Sequence, residues 1–354
     1  SATACKQFWR SALTLRPCGA IAGHGTLANG CQAQHKGLEG DYSSEVTTGL
    51  NMADAPRDDY IEGLVTVRDW LRFAVSQFSR AGLVYGHGTD NATDEAAFLM
   101  LTSLDLPIDS LEPWLDCRLA KGERAQILDL FERRIATRKP ASYLTNTAWI
   151  QGRRFYVDER VIVPRSFIGE LICENSLTAA VGNPEDVRHV LELCTGSGCL
   201  AVLAADAFPF AAVDACDLSL DALDVARRNV RDYGLEDRIS LIASDLFDAI
   251  PATRYDLIIA NPPYVTSDAV ANFPPEYRAE PVMAHEGGAD GLDLVHRILK
   301  DAPRFLSANG ALIVEIGQAR EALEAARPDL QFMWLDTELS EGEVFVLQAA
   351  DFAR

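Results

Sequence analysis

A short segment in the second half of the chain places four unusual residues at the end of an apolar run. The run YDLIIA, residues 255 to 260, is followed directly by Asn261, Pro262, Pro263 and Tyr264. An amide nitrogen is a poor nucleophile because its lone pair is delocalised into the carbonyl group. Two acceptors aimed at its N–H bonds would hold it in line with an electrophilic methyl group. The Asn261 side-chain oxygen and the Pro262 carbonyl can be these acceptors.

The prolines and the tyrosine contribute in different ways. Pro262 and Pro263 have a restricted φ and no N–H, so the Pro262 carbonyl is held rigidly. Tyr264 adds an aromatic face that can pack on a planar amide or base and favours a nearby cationic sulfonium. The alternative interpretation is that Asn-Pro-Pro is only a turn that ends a strand. No Ser/His/Asp or Cys/His set competes, because His87, His285 and His296 are isolated in the sequence.

A turn of small residues follows an earlier apolar run, in LELCTGSGCLA at residues 191 to 201. Gly196 and Gly198 permit a tight turn, and the following helix presents unpaired amides to a ligand. With Ala201 they also match the G-x-G-x-x-A pattern of dinucleotide sites, and a purely structural turn remains an alternative.

Three acidic residues stand at strand ends near this turn. Asp217 ends the next strand, where a carboxylate can accept hydrogen bonds from a ribose diol, as in NAD or S-adenosylmethionine. Glu192 would neighbour a cationic amino-acid group better than a pyrophosphate, and Asp245 could accept from an adenine amino group. Taken singly, Asp217 could instead cap the helix near Ser219, and Asp245 could cap a turn.

The elements that must position these residues form two unlike regions. Beyond residue 188, strands and helices alternate, which predicts an α/β fold with a parallel, Rossmann-like sheet covered by helices on both faces. The last two strands form a predicted hairpin that puts an antiparallel strand into this sheet. We expect an extension at 1–51 with Met52 as the natural start, a helical recognition domain at 52–145, a β-hairpin connector at 146–166 and the ligand-binding domain at 167–354.

The helical region shows periodic apolar residues. One helix is predicted from Tyr60 to Leu83, a second begins after Thr93 as N-cap, and a third crosses residues 122 to 138 and stops before Pro140. Alternating residues at 148 to 163 predict the hairpin.

Composition limits the possible partners. The chain has 354 residues, a formal net charge of −20 and no apolar run long enough to span a membrane, so we expect a soluble, cytoplasmic protein without direct nucleic-acid readout. A basic partner would be attracted, although the acidity could serve solubility alone. The eight cysteines lack metal-ligand spacing, and Cys194, Cys199 and Cys216 are predicted to be small buried thiols in a reducing compartment.

The segments LELCTGSGCLA, DLS, SDLF and NPPYV resemble the class I S-adenosylmethionine-dependent methyltransferases that act on exocyclic or amide nitrogens. The helical region, the hairpin and VIVPRS extend this resemblance to the protein glutamine methyltransferases, over nearly everything from residue 58 onward. YGHGTDN, YLTNTAW, FYVDERVIVPRS and GELI are similar to the branch that modifies a large-subunit ribosomal protein, L-three. The release-factor branch is its sister and often carries tryptophan where this chain has Leu246.

The resemblance implies methyl transfer from S-adenosyl-L-methionine to a glutamine amide of a basic ribosomal protein, with S-adenosyl-L-homocysteine as the product. Because the chain is strongly acidic, we expect it to prefer that protein free or in an early assembly intermediate. The resemblance also implies that Asn261, Pro262, Pro263 and Tyr264 hold the glutamine, with the helical domain, including residues 85 to 91, as recognition surface or as scaffold. The implied cofactor contacts are Glu192, Cys194, Thr195, Gly196, Ser197, Gly198, Asp217, Asp245, Leu246 and Asn261.

Rival functions make different demands. A release-factor glutamine methyltransferase would share the site, whereas a DNA adenine-N methyltransferase would need a basic groove, and no Lys/Arg-rich segment of adequate length is present. A dinucleotide oxidoreductase would bind NAD in place of S-adenosylmethionine. A silent binding module in ribosome assembly would have no need of the full Asn261 to Tyr264 set.

Overall fold

The structure is a computed structural model that describes residues 56–174, 176–337 and 340–353. The expected extension at 1–51 and the expected start at Met52 lie outside the described residues. The helical region and the region of alternating strands and helices, which were predicted as separate, each have a buried apolar core.

The helical region differs from the prediction at its start. The single helix expected from Tyr60 to Leu83 is interrupted, because Thr66 forms a capping box with Asp69 and begins a new helix. Val65 and Thr66 also pair with the chain near Leu119, which holds them extended. The helices of this region are α1 (Arg57–Gly63), α2 (Val67–Arg80), α3 (Ala92–Ser103), α4 (Lys121–Thr137) and α5 (Ala141–Thr145).

The beginning of α3 was also predicted at the wrong residue. Asn91, two positions before the expected Thr93, is extended and accepts a hydrogen bond from the Asp94 N–H at 3.0 Å. Both residue types can cap a helix, so propensity alone did not separate them. The end of α4 agrees with the prediction, since Arg138 turns left-handed at φ 61° just before Pro140.

The predicted hairpin is present but shorter than expected. Strands β1 (Ala148–Ile150) and β2 (Arg153–Phe155) pair around a two-residue turn with positive φ at both positions. Strand pairing ends at Phe155, because the main chain of Tyr156 bonds instead to the side chain of Asn229, through N–H and C=O at 2.8 and 3.0 Å. Residues 156 to 166 therefore cross to the sheet domain as irregular chain.

The expected α/β sheet with an antiparallel strand near its end is confirmed. Seven strands lie in the order β5-β4-β3-β6-β7-β9-β8, and β9 runs antiparallel to both β7 and β8. The chain order reverses between β3 and β6, which are parallel neighbours. The strands are β3 (His189–Leu193), β4 (Ala212–Asp217), β5 (Ile239–Ala243), β6 (Tyr255–Ala260), β7 (Leu306–Glu315), β8 (Met333–Leu335) and β9 (Val344–Gln348).

Apolar clusters cover both faces of the sheet. A helix that begins at Asp293 ends at Asp301, where a 3₁₀ turn containing Pro303 leads into β7. The helices of this region are α6 (Phe167–Cys173), α7 (Thr178–Val181), α8 (Cys199–Ala207), α9 (Leu220–Asp232), α10 (Ser267–Ala271), α11 (Asp293–Asp301) and α12 (Arg320–Ala326). Within the described residues, each helix is too short or too polar to cross a membrane.

A buried ion pair ties α3 to α4. Arg134 is fully buried and donates from Nε to the Glu95 carboxylate at 2.7 Å and from a terminal nitrogen to the Val84 carbonyl at 3.1 Å. Its other terminal nitrogen lies 3.9 Å from Glu276, which belongs to the loop after β6. The pair therefore joins the helical region to the sheet domain.

Arg134→Ala is expected to lower the free energy of unfolding by about 3–5 kcal/mol, because it leaves the Glu95 carboxylate buried without its cation. Arg133→Ala is the matched control, since Arg133 pairs with Asp129 in solvent and should cost less than about 1 kcal/mol. Urea denaturation measures both. Equal losses in the two variants would contradict a special role for the buried pair.

Candidate active site

Two chain segments meet at the carboxyl edge of the sheet, where the strand order reverses. The β3–β6 register pairs Leu193 with Ala260, so Cys194 and Asn261 are the next residues on neighbouring strands. Ligands of open α/β sheets bind at such a switch point. The structure therefore brings the two motifs, predicted separately from sequence, to one place at the carboxyl edge of the sheet.

The small-residue turn after β3 has a backbone that most side chains disfavour. Cys194, Gly196 and Gly198 have φ values of 58°, 55° and 77°. A Cβ on Gly198 would lie 3.1 Å from the Ala226 Cβ, so this glycine permits α8 and α9 to approach each other. A Cβ on Gly196 would meet nothing within 4 Å, so its backbone borders open space. Cys199 and Cys216 are buried as expected, whereas Cys194 is partly exposed.

Glu192 is a buried carboxylate without a protein cation. It is 1% exposed, and one of its oxygens accepts the Thr195 hydroxyl at 2.6 Å. Burial raises the pKa of Glu192 to about 8. Among the described residues, no basic nitrogen lies within ion-pair distance of it. A cationic group bound beside the turn would therefore relieve an existing electrostatic cost.

Asp217 connects the ends of β3 and β4. Its two oxygens accept the Gly196 and Ser219 N–H groups, each at 2.9 Å, and burial raises its pKa. The proposed helix cap is a different residue, since Ser219 caps α9. Asp217 remains partly exposed, and an ionised carboxylate has further lone pairs, so the same side chain can shape the turn and accept from a diol.

The residues after β5 divide between surface and core. Asp245 is partly exposed and pairs with Arg297 of α11 at 2.9 Å, a partner that sequence analysis missed. Leu246 is 6% exposed and has φ 51°, which is uncommon for a branched side chain. Its carbonyl accepts the Ser244 hydroxyl at 2.8 Å, so Leu246 helps to hold the loop that presents Asp245.

Asn261 has a defined amide orientation. Its Nδ2 donates to the Arg165 carbonyl at 3.2 Å, which directs Oδ1 away from that contact. Within the described residues, no donor is found for Asn261 Oδ1 or for the carbonyl of the buried Pro262. The two acceptor oxygens expected from the sequence are thus both uncommitted.

Tyr264 is held through its hydroxyl and its ring. The hydroxyl donates to Glu315 at 3.2 Å, and burial together with this carboxylate raises the Tyr264 pKa well above its ordinary value. Glu315 also accepts from the Ser166 hydroxyl and the Phe167 N–H, and burial raises its pKa to about 7. A Cβ on Gly317 would lie 2.8 Å from the Tyr264 ring, so only glycine fits beside it.

The loop after β6 packs tightly on the same motif. A Cβ on Gly287 would lie 2.7 Å from the Pro263 carbonyl, and one on Gly291 would lie 2.2 Å from the Tyr264 carbonyl. Val265 donates to the His285 carbonyl and accepts from the Gly287 N–H, both at 2.8 Å. The motif is therefore held by neighbouring backbone in addition to its own prolines.

Sequence analysis missed the residue on which several parts of the site converge. The buried Glu280 carboxylate binds Arg165 and the Val163 N–H, and His87 and His285 lie 3.5 and 2.9 Å from it. These histidines are isolated in sequence but close together in space. Spacing gave no signal for this cluster, because its members come from three separate parts of the chain.

Comparisons with known proteins identify the family of this chain. The family model "Methyltransferase small domain" matches residues 175–273. The chain is 56% identical over 293 residues, 81% of its length, to the ribosomal protein uL3 glutamine methyltransferase of Burkholderia pseudomallei, covering 95% of that protein. It is 54% identical over 284 residues to the protein of that name from Bordetella pertussis, covering 80% of this chain and 95% of the relative.

A methyltransferase structure from Pyrococcus furiosus matches with a TM-score of 0.42 at 15% identity, covering 64% of this chain and 98% of that one. The matched regions span almost the whole length of both sequence relatives. This chain therefore belongs to the family of ribosomal protein uL3 glutamine methyltransferases, enzymes built on the class I methyltransferase fold.

Proposed function

We propose that the chain methylates the side-chain amide nitrogen of a glutamine in ribosomal protein uL3, with S-adenosylmethionine as donor, in the cytoplasm. The observation that carries the proposal is the pair of uncommitted acceptors, Asn261 Oδ1 and the Pro262 carbonyl, at the strand end beside the glycine turn. Family membership supplies the substrate class. The release-factor branch shares the site chemistry and is the alternative that the experiment below separates.

The cofactor fits the residues that line the turn. Glu192 would offer a carboxylate to the ammonium group, the open backbone at Gly196 would leave room for the ligand, and Asp217 could accept from the ribose hydroxyls. Asp245 can accept from the adenine amino group while it keeps Arg297. The turn residues Cys194, Thr195, Ser197 and Gly198 and the loop residue Leu246 complete the proposed binding set. When bound, S-adenosylmethionine would supply an electrophilic methyl group on a cationic sulfur; the S–CH₃ bond would break as the N–CH₃ bond forms, with neutral S-adenosylhomocysteine as the leaving group.

The chain's own residues then act by positioning. Asn261 Oδ1 and the Pro262 carbonyl accept the two N–H groups of the glutamine, which fixes the direction of the nitrogen lone pair. Pro263 keeps the backbone rigid, and Tyr264 closes one side with its ring. No strong base is required, because the proton leaves after methylation, when the nitrogen is far more acidic. Positioning and electrostatics are the main catalytic contributions.

Mass spectrometry of ribosomal proteins and release factors from cells with and without the gene tests the proposal. The expected result is loss of one methyl group from a glutamine of uL3, with release factors unchanged. A change confined to release factors would assign the chain to the sister activity, and no change in either would refute the proposal.

Asn261→Ala is expected to lower kcat on the order of a hundredfold or more, because one of the two acceptors that orient the nitrogen is removed. Cofactor affinity should remain close to that of the wild type. Steady-state kinetics and calorimetric titration measure the two quantities. Asn183→Ala, on an exposed turn before β3, is the matched control and should change neither. Equal losses of turnover and cofactor affinity would contradict the assigned role.

Glu192 predicts a specific pH dependence of stability. Its folded pKa of about 8 lies above the ordinary 4.5, so the folded state holds this proton more tightly than the unfolded chain does. The associated stability is present below about pH 4.5 and is lost as the pH rises toward 8. Relative to wild type, Glu192→Gln should gain stability across this range, with a slope approaching about 1.4 kcal/mol per pH unit.

Urea denaturation from pH 5 to 8.5 measures this difference. Glu185→Gln, an exposed carboxylate at the opposite edge of the sheet, is the control and should follow the wild-type profile. Saturating S-adenosylmethionine should reduce the loss of wild-type stability with rising pH, because a bound ammonium group favours ionised Glu192. If the wild type and Glu192→Gln differ in free energy of unfolding by an amount that is constant with pH, the predicted titration is contradicted.

The net charge of −20 predicts a preference for unassembled substrate. A free ribosomal protein is cationic, whereas an assembled subunit presents RNA phosphate, so attraction changes to repulsion on assembly. Methylation of free uL3 should be faster than that of large subunits lacking the modification. Parallel time courses, quantified by mass spectrometry at low and high salt, test this. Comparable rates on both substrates would exclude the preference.

A further inference from the structure

The proposed chemistry requires one orientation of the Asn261 amide. A half-turn about its Cβ–Cγ bond would exchange oxygen for NH₂ and would present donors to the donors of the glutamine. The Arg165 carbonyl selects the productive orientation, since it accepts Nδ2 at 3.2 Å. The position of this carbonyl therefore determines where the first acceptor points.

The Arg165 backbone is held by a buried clamp. Glu280 accepts the Val163 N–H at 2.8 Å, and its two oxygens accept the two terminal nitrogens of Arg165 at 2.8 and 2.7 Å. Arg165 also donates to the Val163 carbonyl at 3.2 Å. The side chains of Arg165 and Glu280 are 11% and 0% exposed, so water competes little with these bonds.

The clamp also reaches the helical region. His87, in the loop between α2 and α3, lies 3.5 Å from Glu280, and its ring lies 4.2 Å from the Tyr277 ring. The Arg165 guanidinium carbon is 5.9 Å from the Tyr277 ring centre. Burial opposes the ionised form of Glu280, but Arg165 is the main influence that holds its pKa well below the ordinary value, so the pair is ionic. Three separate parts of the chain meet at one carboxylate.

We propose that Arg165 and Glu280 are positioning residues, which hold the Asn261 amide in its methyl-transfer orientation through the Arg165 carbonyl. The inference rests on the proposed function of Asn261 and adds two residues that contact neither the glutamine nor the cofactor. The bidentate geometry is what matters, because with a single-point contact the Arg165 side chain would no longer fix the direction of its own main chain.

Arg165→Lys tests the inference by keeping the charge and removing the planar fork. The expected result is a fall in kcat on uL3 of about ten- to a hundredfold, with the KM for uL3 and the affinity for S-adenosylmethionine within about twofold of wild type. Glu280→Gln alters the other partner of the same contact without a change in size. It should also lower kcat while the KM for uL3 and the affinity for S-adenosylmethionine stay close to those of the wild type. All rates are normalised to folded enzyme, measured by thermal denaturation.

The matched control is Arg238→Lys. Arg238 also holds buried main chain, donating to the carbonyls of Ala205, Phe208 and Ala211, but it lies before β5 at the opposite edge of the sheet. This control should lower the melting temperature and leave kcat unchanged. A role of Arg165 in stability alone would give the same pattern as the control.

The inference is overturned if either Arg165→Lys or Glu280→Gln keeps the wild-type kcat per folded molecule, or if cofactor affinity falls in parallel with kcat. These outcomes differ from failure of the proposed function, in which the wild-type enzyme itself leaves uL3 unmethylated.

Discussion

The site depends on the parallel pairing of β3 with β6. Because Leu193 is paired with Ala260, the glycine turn and Asn261 emerge side by side at the point where the strand order reverses. A shift of one residue would exchange the faces toward which the side chains of β6 point and would move Asn261 away from its place beside the glycine turn. The buried residues of both strands specify this register, since every residue from Leu257 to Ala260 is fully buried.

Two buried ion pairs, one beside the edge of the sheet and one in the helical region, consist of polar groups that are costly to bury. Glu280 with Arg165, and Glu95 with Arg134, each lose hydration, and Coulomb attraction with hydrogen bonds offsets that loss only when the geometry is good. Apolar residues of similar size could supply comparable stability. Ion pairs add a defined orientation, because a planar guanidinium can donate to a carboxylate in only a few geometries. This explains why such pairs lie where loop, connector and helical region meet.

Sequence patterns predicted the regular elements and the residues with local chemical signatures. Alternating strands and helices gave the sheet, and the hairpin at the end gave its antiparallel strand. Two of the errors occurred where contacts with distant segments compete with local propensity. Asn229 ends strand pairing at Phe155, and pairing with the chain at Leu119 interrupts the first predicted helix. Glu280 was missed because Val163, Arg165 and His87 are far away from it in the sequence, and the nearby His285 forms no recognisable motif with it.

The attraction of a substrate and the alignment of its reacting atoms depend on different acidic groups of the protein. Attraction of a cationic protein needs only the long-range field of an acidic surface, which tolerates many arrangements of charge. Alignment of a nitrogen with a methyl carbon tolerates displacements of only a fraction of an ångström. The acidic residues near Asn261 therefore differ from those at the surface. Glu280 and Glu315 are buried, and both accept hydrogen bonds from main-chain and side-chain donors around the two ends of the motif. Both add to the net charge, and in the proposed mechanism their placement also fixes the geometry of Asn261 and Tyr264.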